Sequence, residues 1–517
     1  MTVLLSRFCS TRCQNKSFNA FAAAAPFFYG TERFVHQRRL FSTTIIAATS
    51  VIPFMSQRIH LNHAGASQPP QCVTDRVLQH LRLEQELGGY AAQDAVSKDL
   101  DQVYEDVANL IHARSSMEIA LVESATVGWT KAFYAMVQQE EMRIQREGRI
   151  NNGSSSTTSR NLKVILISEA EYAANVVAAC QWARDHQENN WIVLAIPSSS
   201  TQSGKSTGMV DLNVFEKMLS GNYEYKDTTG KAVVLEPSSI AMVCITHVPT
   251  NSGIINPVES IGNLITAYNQ RNEQGEGKST ISIRYLVDAC QSVGQLDVNV
   301  QKIQCHALVA TGRKYLRGPR GTGFLYMAKE MLESGIMPTH VDHFGCPVLS
   351  VPLPTIHQNG VQLQQDSVLQ YAPLSSARRF EFWESNIANR LGLGVAVRYA
   401  MERGQPQIEQ SILQLSVKLR TNLSLIQGLR IHHEEWTTCG IVTFSCDGFP
   451  AKEIQNKLWE RGFELSVVPA TSTPMDSSKT QVPDLVRASL TYINTDEDIS
   501  TFSAALAASL NPRQKDK

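Results

Sequence analysis

Val287-Asp288-Ala289-Cys290-Gln291-Ser292-Val293-Gly294 and Ala310-Thr311-Gly312-Arg313-Lys314-Tyr315-Leu316-Arg317-Gly318-Pro319-Arg320-Gly321-Thr322-Gly323 are the two stretches that decide how this chain folds. Each continues a short apolar run, Ile283 to Val287 and His306 to Ala310. An acid ends the first run and a lysine follows the second. Ligands of open α/β sheets bind beyond the carboxyl ends of the strands, so both side chains could reach one site. Taken alone, such a pair reads as a salt-bridged acid and a surface lysine beside a tight Gly-Pro turn. The residues around them reverse that reading.

Outward from these stretches, further apolar runs alternate with helical patterns: Lys163 to Ser168, Trp191 to Ile196, Ile240 to Thr246 and Gly323 to Met327. Runs of this length with almost no polar interruption predict parallel strands covered on both faces, and hence an α/β domain. Leu100, Val103, Val107 and Leu110 recur at helical spacing and predict an amphipathic helix over 99–111. Gln145 to Arg160, Ser198 to Gly208, Gly221 to Lys231 and Asn272 to Ser279 are rich in Ser, Gly, Thr and charge and predict surface loop insertions. A helix-rich stretch from Asn386 to Gln427 leads into expected strands at Gly440 to Ser445, Glu464 to Val468 and Leu485 to Tyr492, the makings of a smaller second domain.

The 517 residues exceed what one simple core accommodates. The balance of 47 basic against 48 acidic side chains gives no electrostatic case for nucleic acid, and a small-molecule partner is expected instead. Ten cysteines, scattered and without a CxxC pair, read as reduced core thiols rather than a disulfide or zinc framework, and no metal site is expected. No uninterrupted apolar run is long enough for a membrane span. In the first fifty residues Arg7, Arg12, Lys16, Arg33, Arg38 and Arg39 face a single acid, Glu32, among many Ser, Thr, Ala and Phe. That is the composition of a transit peptide, and Arg38-Arg39-Leu40-Phe41-Ser42 resembles a mitochondrial processing site. A mitochondrial matrix address is therefore expected over a plastid or cytoplasmic one.

An amine paired with a carboxylate is what pyridoxal phosphate chemistry requires. The amine forms the Schiff base, and the carboxylate keeps the pyridine nitrogen protonated so that the ring drains electrons from the α-carbon of a substrate. The Asp288-to-Lys314 segment resembles the core of class V aminotransferases and cysteine desulfurases, and the similarity spans almost the entire mature chain. The resemblance implies an α/β fold, the PLP-dependent transferase fold type I, with pyridoxal 5'-phosphate as cofactor, an amino acid as substrate and a homodimer as the assembly. It divides the chain into a transit peptide (1–41), an N-terminal segment over the active site (42–75), a large PLP-binding domain (76–345), a connecting segment (346–385) and a small C-terminal domain (386–512).

Carried over residue by residue, the resemblance makes Lys314 the Schiff-base lysine, sets Asp288 against the pyridine nitrogen and gives Gln291 to the ring hydroxyl. Thr311 and Arg313 would bind the cofactor phosphate; the desulfurase branch has His where this chain has Arg313. Ser124, Ala125 and Thr126 follow the run Ile119 to Val122 and open a helix, where backbone amides cradle phosphate. Tyr172, in Glu171-Tyr172-Ala173-Ala174-Asn175, would stack on the ring. Thr250 and Asn251, in His247-Val248-Pro249-Thr250-Asn251-Ser252-Gly253, would pass the ring's hydroxyl edge. An amino-acid carboxylate calls for a guanidinium, and Arg487 stands where family members place that clamp. His63 and Tyr90 match the segment that folds over the site. Arg378-Arg379-Phe380-Glu381 also matches, but Trp383-Glu384-Ser385-Asn386 replaces the Gly-Thr that normally reaches the neighbouring subunit's phosphate.

The scaffold does not by itself choose a reaction, because one carbanion leads to transamination, β-elimination, racemisation or desulfuration. A desulfurase that forms a persulfide needs a nucleophilic cysteine in the small-domain loop, and Val468 to Ser478 contains none. Cys439 and Cys446 flank an expected strand and read as buried. Local features at Glu86 to Tyr90, Glu171 to Asn175 and Arg313 to Gly321 look closest to hercynylcysteine sulfoxide lyase-like members, which cleave a carbon–sulfur bond without an enzyme thiol. A carbon–sulfur β-lyase and an aminotransferase stand nearly level, ahead of an epimerase or desulfurase-like activity. A non-catalytic binding protein on this fold would be expected to lose Lys314 or Asp288, and both are present.

Overall fold

The computed structural model describes residues 58–150, 162–201, 204, 206–274, 282–350, 355–357, 360–362, 370–433 and 439–510. The expected transit peptide and residues 42–57 lie outside these. The centre is a seven-stranded sheet in the order Ile119–Val122, Gly323–Met327, Ala307–Thr311, Arg284–Asp288, Ile240–Thr246, Lys163–Ser168, Trp191–Ile196. Its strands fall on the apolar runs to within a residue, and most are buried along their full length because helices cover both faces. Gly323–Met327 departs from the expected parallel arrangement. It runs antiparallel to both neighbours, because the chain returns from Thr311 through a tight loop with no crossover helix to reverse it.

The expected amphipathic helix spans Ser97–Leu110 and buries Val103, Val107 and Leu110. Two of the four expected loop insertions contain paired strands. Ser198–Ser200 pairs with Ser206–Val210, and Glu224–Lys226 pairs with Ala232–Val234 across a turn in which Asp227 Oδ1 accepts from the backbone of Thr229 and Lys231. The polar composition marked solvent exposure, which a two-stranded ribbon tolerates as well as a loop does. In the other two, the helices Ala125–Ile150 and Val258–Gln274 continue into the expected insertion, and the remainder lies outside the described residues.

A second sheet, ordered Leu429–His432, Ile441–Cys446, Leu485–Ser489, Ser466–Val468, is wholly antiparallel and carries a separate core around Phe444, Leu458, Val486 and Phe502. The two cores divide within the helix Gln405–Ser424 rather than at Asn386. Ile408 and Ile412 join the first, whereas Leu419 and Leu423 join the second. The preceding helix, Ile387–Arg403, packs against Gln71–Leu87 and Ser97–Leu110. The N-terminal strand Ile59–His60 pairs in parallel with Phe463–Glu464, and Leu61 enters the second core. Asn62 then bridges Ser489 of the small sheet. Among the described residues no helix is long and apolar enough to cross a membrane.

Candidate active site

The carboxyl ends of Arg284–Asp288 and Ala307–Thr311 lie side by side, so Asp288 and the turn bearing Lys314 open on the same cavity. Gly294 makes their approach possible. Its φ is +90°, and a Cβ there would sit 2.4 Å from Leu316 N and 2.5 Å from the carbonyl carbon of Tyr315. Gly323 serves the opposite wall, where a Cβ would meet Ala310 O at 2.6 Å and Ala125 N at 3.3 Å, at the start of the helix Ala125–Ile150.

Ten of the residues expected at the site line this cavity: Ser124, Ala125, Thr126, Tyr172, Thr250, Asp288, Gln291, Thr311, Arg313 and Lys314. Ser124 Oγ accepts from Val127 N at 3.2 Å, and the amides of the helix's first turn face the cavity beside Thr311 and Arg313, a receptor suited to an anion. Tyr172 precedes the helix Ala173–Asp185 and keeps its ring 39% exposed at the cavity. Thr250 Oγ1 accepts from Gln291 Nε2 at 3.1 Å and from Arg487 Nη1 at 2.6 Å, which links the two sheets.

Four expected residues do not line it. Arg487 is one layer back, behind Thr250. Its Nη1 also donates to Thr250 O (3.2 Å) and its Nε to Ser466 Oγ (3.1 Å), so a ligand carboxylate must compete with Thr250 for it. Asn251 is buried, with Nδ2 donating to Pro469 O at 3.0 Å across to the small sheet. His63 is fully buried; Nδ1 bonds Ser67 Oγ at 2.9 Å and the ring packs edge-on against His60, because the segment is pinned by its pairing with the small sheet. Tyr90 stands 73% exposed beside Trp383, outside the cavity of its own chain. The helix that follows Gly88 carries its ring onto the outer surface.

Arg379 and Glu381 hold backbone rather than the cavity. Arg379 donates to Leu374 O, Leu332 O and Ile336 O, and Glu381 accepts from Leu121 N and from the Tyr104 hydroxyl. In the segment after them, Asn386 caps the helix Ile387–Arg403 by accepting from Asn389 N.

Burial lowers the Lys314 ammonium from its usual range, opposed by the neighbouring Cys290 and Asp288 and reinforced by Arg313 and Arg487. Burial likewise lowers Arg487 to about 10. Among the described residues no hydrogen bond or ion pair engages Lys314 Nζ, and the buried Oε1 of Gln291 has no partner. A lysine amine freed toward its neutral, nucleophilic form, an acid lining the same cavity, an amide-lined anion receptor and an orphaned carboxamide oxygen fit an aromatic aldehyde bearing a ring nitrogen, a hydroxyl and a phosphate.

Three further residues line the cavity that the sequence did not single out as site residues: Thr246, Val248 and Cys290. Cys290 sits within the quoted segment, but nothing in the spacing showed that its thiol faces the cavity. Burial raises that thiol well above its usual range, which keeps it neutral and a poor nucleophile. Beneath Asp288 lies Glu171, fully buried and raised by burial to about 7, although four donors from Ser168, Asn175 and Thr246 stabilise its ionised form.

Comparisons with known proteins identify the family. The family model for aminotransferase class V matches residues 59–502. A cysteine desulfurase of Yersinia pseudotuberculosis serotype O:1b is 25% identical over 457 residues, covering 87% of this chain and 92% of its own. One from Synechococcus elongatus is 25% identical over 469 residues, and the match covers 88% of this chain but only 62% of that protein. Among solved structures, a cysteine desulfurase from Thermococcus onnurineus NA1 superposes with a TM-score of 0.65 at 18% identity, covering 87% of this chain and 94% of the other. The cystine C–S lyase C-DES, solved with its reaction product cysteine persulfide, gives 0.64 at 19% identity, covering 88% and 98%. The α/β fold is that of type I pyridoxal-phosphate proteins, and this chain belongs to the class V aminotransferase family as a pyridoxal 5'-phosphate-dependent enzyme.

Proposed function

We propose that this enzyme cleaves a carbon–sulfur bond of a cysteine-derived amino acid by β-elimination, with Lys314 moving the α-proton and no enzyme thiol taking part. The observation that carries the reading is the loop that follows the small-sheet strand Ser466–Val468 and holds Asn251. Pro469 to Gln481 has no cysteine, and it is fastened down rather than free to swing. Pro469 O accepts from Asn251, Asp476 N donates to Glu169 O at 3.0 Å, and Lys479 Nζ reaches both carboxylate oxygens of Glu169 at 2.9 and 2.8 Å. The cavity thiol, Cys290, is held neutral. Relatives named cysteine desulfurase and a structural neighbour named a cystine C–S lyase support chemistry at a carbon–sulfur bond.

In this reading the bound cofactor supplies an electron sink for the substrate's α-carbon. Asp288 would hold the ring nitrogen, Gln291 and Thr250 the ring hydroxyl, and Tyr172 would cover the ring. The amides of Ser124 to Thr126, with Thr311 and Arg313, would take the phosphate. Arg487 releases Thr250 to receive the substrate carboxylate. Buried Lys314, with its proton affinity lowered, accepts the α-proton and returns it to the leaving group.

A product assay over cysteine S-conjugates and sulfoxides tests the reading. Pyruvate and ammonia released without a keto acid support it, whereas turnover that depends on a keto-acid acceptor replaces it with transamination. We further place the enzyme in the mitochondrial matrix as a homodimer, on the basic N-terminus and the family resemblance. Organelle fractionation with N-terminal sequencing and light scattering test those two points.

A further inference from the structure

Glu171 is a buried carboxylate to which the proposed chemistry assigns nothing. It sits on the turn after Lys163–Ser168 and is fully enclosed. Its oxygens accept from Ser168 Oγ (2.9 Å), Thr246 N (2.8 Å), Thr246 Oγ1 and Asn175 Nδ2 (2.8 Å). The second hydrogen of that same Asn175 nitrogen goes to Asp288 Oδ2 at 3.1 Å, while Asp288 Oδ1 accepts from Cys290 N at 2.9 Å. Both neighbours of Asn175 Nδ2 are therefore carboxylate oxygens. Turning the amide over would set its carbonyl oxygen against two acceptors, so Glu171 dictates which way Asn175 points. Asn175 in turn fixes one oxygen of Asp288, and the backbone of Cys290 fixes the other.

We propose that Glu171 is a positioning residue for Asp288, acting through Asn175. A carboxylate free to rotate would meet the ring nitrogen in several geometries, whereas one held at both oxygens meets it in one. The inference rests on Asp288 facing the ring nitrogen, as proposed above, and the experiment separates the two.

Equilibrium affinities are measured for pyridoxal phosphate and for its deaza analogue, in which carbon replaces the ring nitrogen. The proteins are the apo forms of the wild type, Glu171→Gln, Asn175→Ala, the double variant and Asp288→Ala, each checked for folding by circular dichroism. Glu171→Gln and Asn175→Ala are each expected to weaken pyridoxal phosphate roughly tenfold and to leave the analogue within about twofold of wild type. The double variant should be no worse than either single, because the two residues form one chain of contacts. Equal losses for both cofactors mean a merely structural role and overturn the inference, as do unchanged affinities or multiplying losses in the double variant. Should Glu171→Gln not fold, Asn175→Ala, which leaves Glu171 its three other donors, carries the test alone. If Asp288→Ala also fails to discriminate between the cofactors, the placement of Asp288 itself is wrong. If Asp288→Ala discriminates and the other variants do not, only the role of Glu171 falls.

Discussion

At the floor of the Lys314 cavity, Asp288, Thr311 and Lys314 come from two adjacent strands and the turn after them, close in sequence and fixed by local geometry. At its rim, Thr250 holds Arg487, Asn251 holds Pro469, Gln291 holds Ala64 O at 3.2 Å, and Arg313 holds Gly65 O, all bonds between segments far apart in the chain. In the proposed reading the floor carries the chemistry, at the ends of strands that are short buried apolar runs. The rim exists only once the small sheet and the N-terminal segment have docked. Substitutions on the floor should therefore abolish a chemical step, whereas those at the rim should change affinity or closure.

The sharpest test of that contrast is Lys314→Ala. It should lower kcat on the order of 10³-fold in steady-state assays, and borohydride reduction of the wild type should fix the cofactor onto the peptide carrying Lys314. Wild-type-like turnover would remove Lys314 from the chemistry. At the rim, Arg487→Lys should raise KM roughly tenfold while kcat and cofactor content change little, since an ammonium cannot reproduce the planar guanidinium held by Thr250 and Ser466. A fall in kcat with unchanged KM would make the rim part of the floor. Gly294→Ala should destabilise by roughly 1–3 kcal/mol in denaturant unfolding, through strain where the two floor segments touch.

Acidification probes both regions together. His247, His432 and His433 are lowered to about 4 and His306 to about 3, in each case chiefly by burial. Between pH 6.5 and about 4 the unfolded chain takes up protons that the folded chain refuses, so stability falls as pH falls through that window. Glu171 and Asp476, raised to about 7 and about 6, oppose this, because their neutral folded forms favour the native state until pH rises through those values. Burial lowers His63 and His80 as well, so six groups against two give a net loss on acidification, read from thermal midpoints across pH. A midpoint that rises toward pH 4 contradicts it. The smallest effect is expected for Lys479→Ala, because Lys479 is 46% exposed: under about 1 kcal/mol of stability, with any change confined to the KM of the substrate.

The strands were legible because each is a short apolar run, and the elements at Lys163–Ser168, Trp191–Ile196 and Ile240–Thr246 begin and end where the runs do. The direction of Gly323–Met327 was not, since a buried run looks the same in either orientation. Polar composition hid the hairpins at Ser198–Val210 and Glu224–Val234, whose backbone pairing needs no apolar face. Of the site, the strand ends put Asp288 and Lys314 within reach of one cavity, and the family resemblance added Gln291, which lines it too. Which way Tyr90 and His63 face was not legible, because sequence proximity to a motif does not say where a side chain points, and neither lines the cavity of its own chain.

What the sequence determined by itself was the convergence at the floor: strand-end positions follow from hydrophobic periodicity, and an acid and a lysine beyond neighbouring strand ends meet by the geometry of the sheet. Only the tertiary structure decided that Cys290 faces the cavity, that Arg487 stands behind Thr250, and that Glu171 reaches Asp288 through Asn175. Those contacts join separate strands, loops and sheets. Their partners are set by how the layers dock, which no local pattern along the chain encodes.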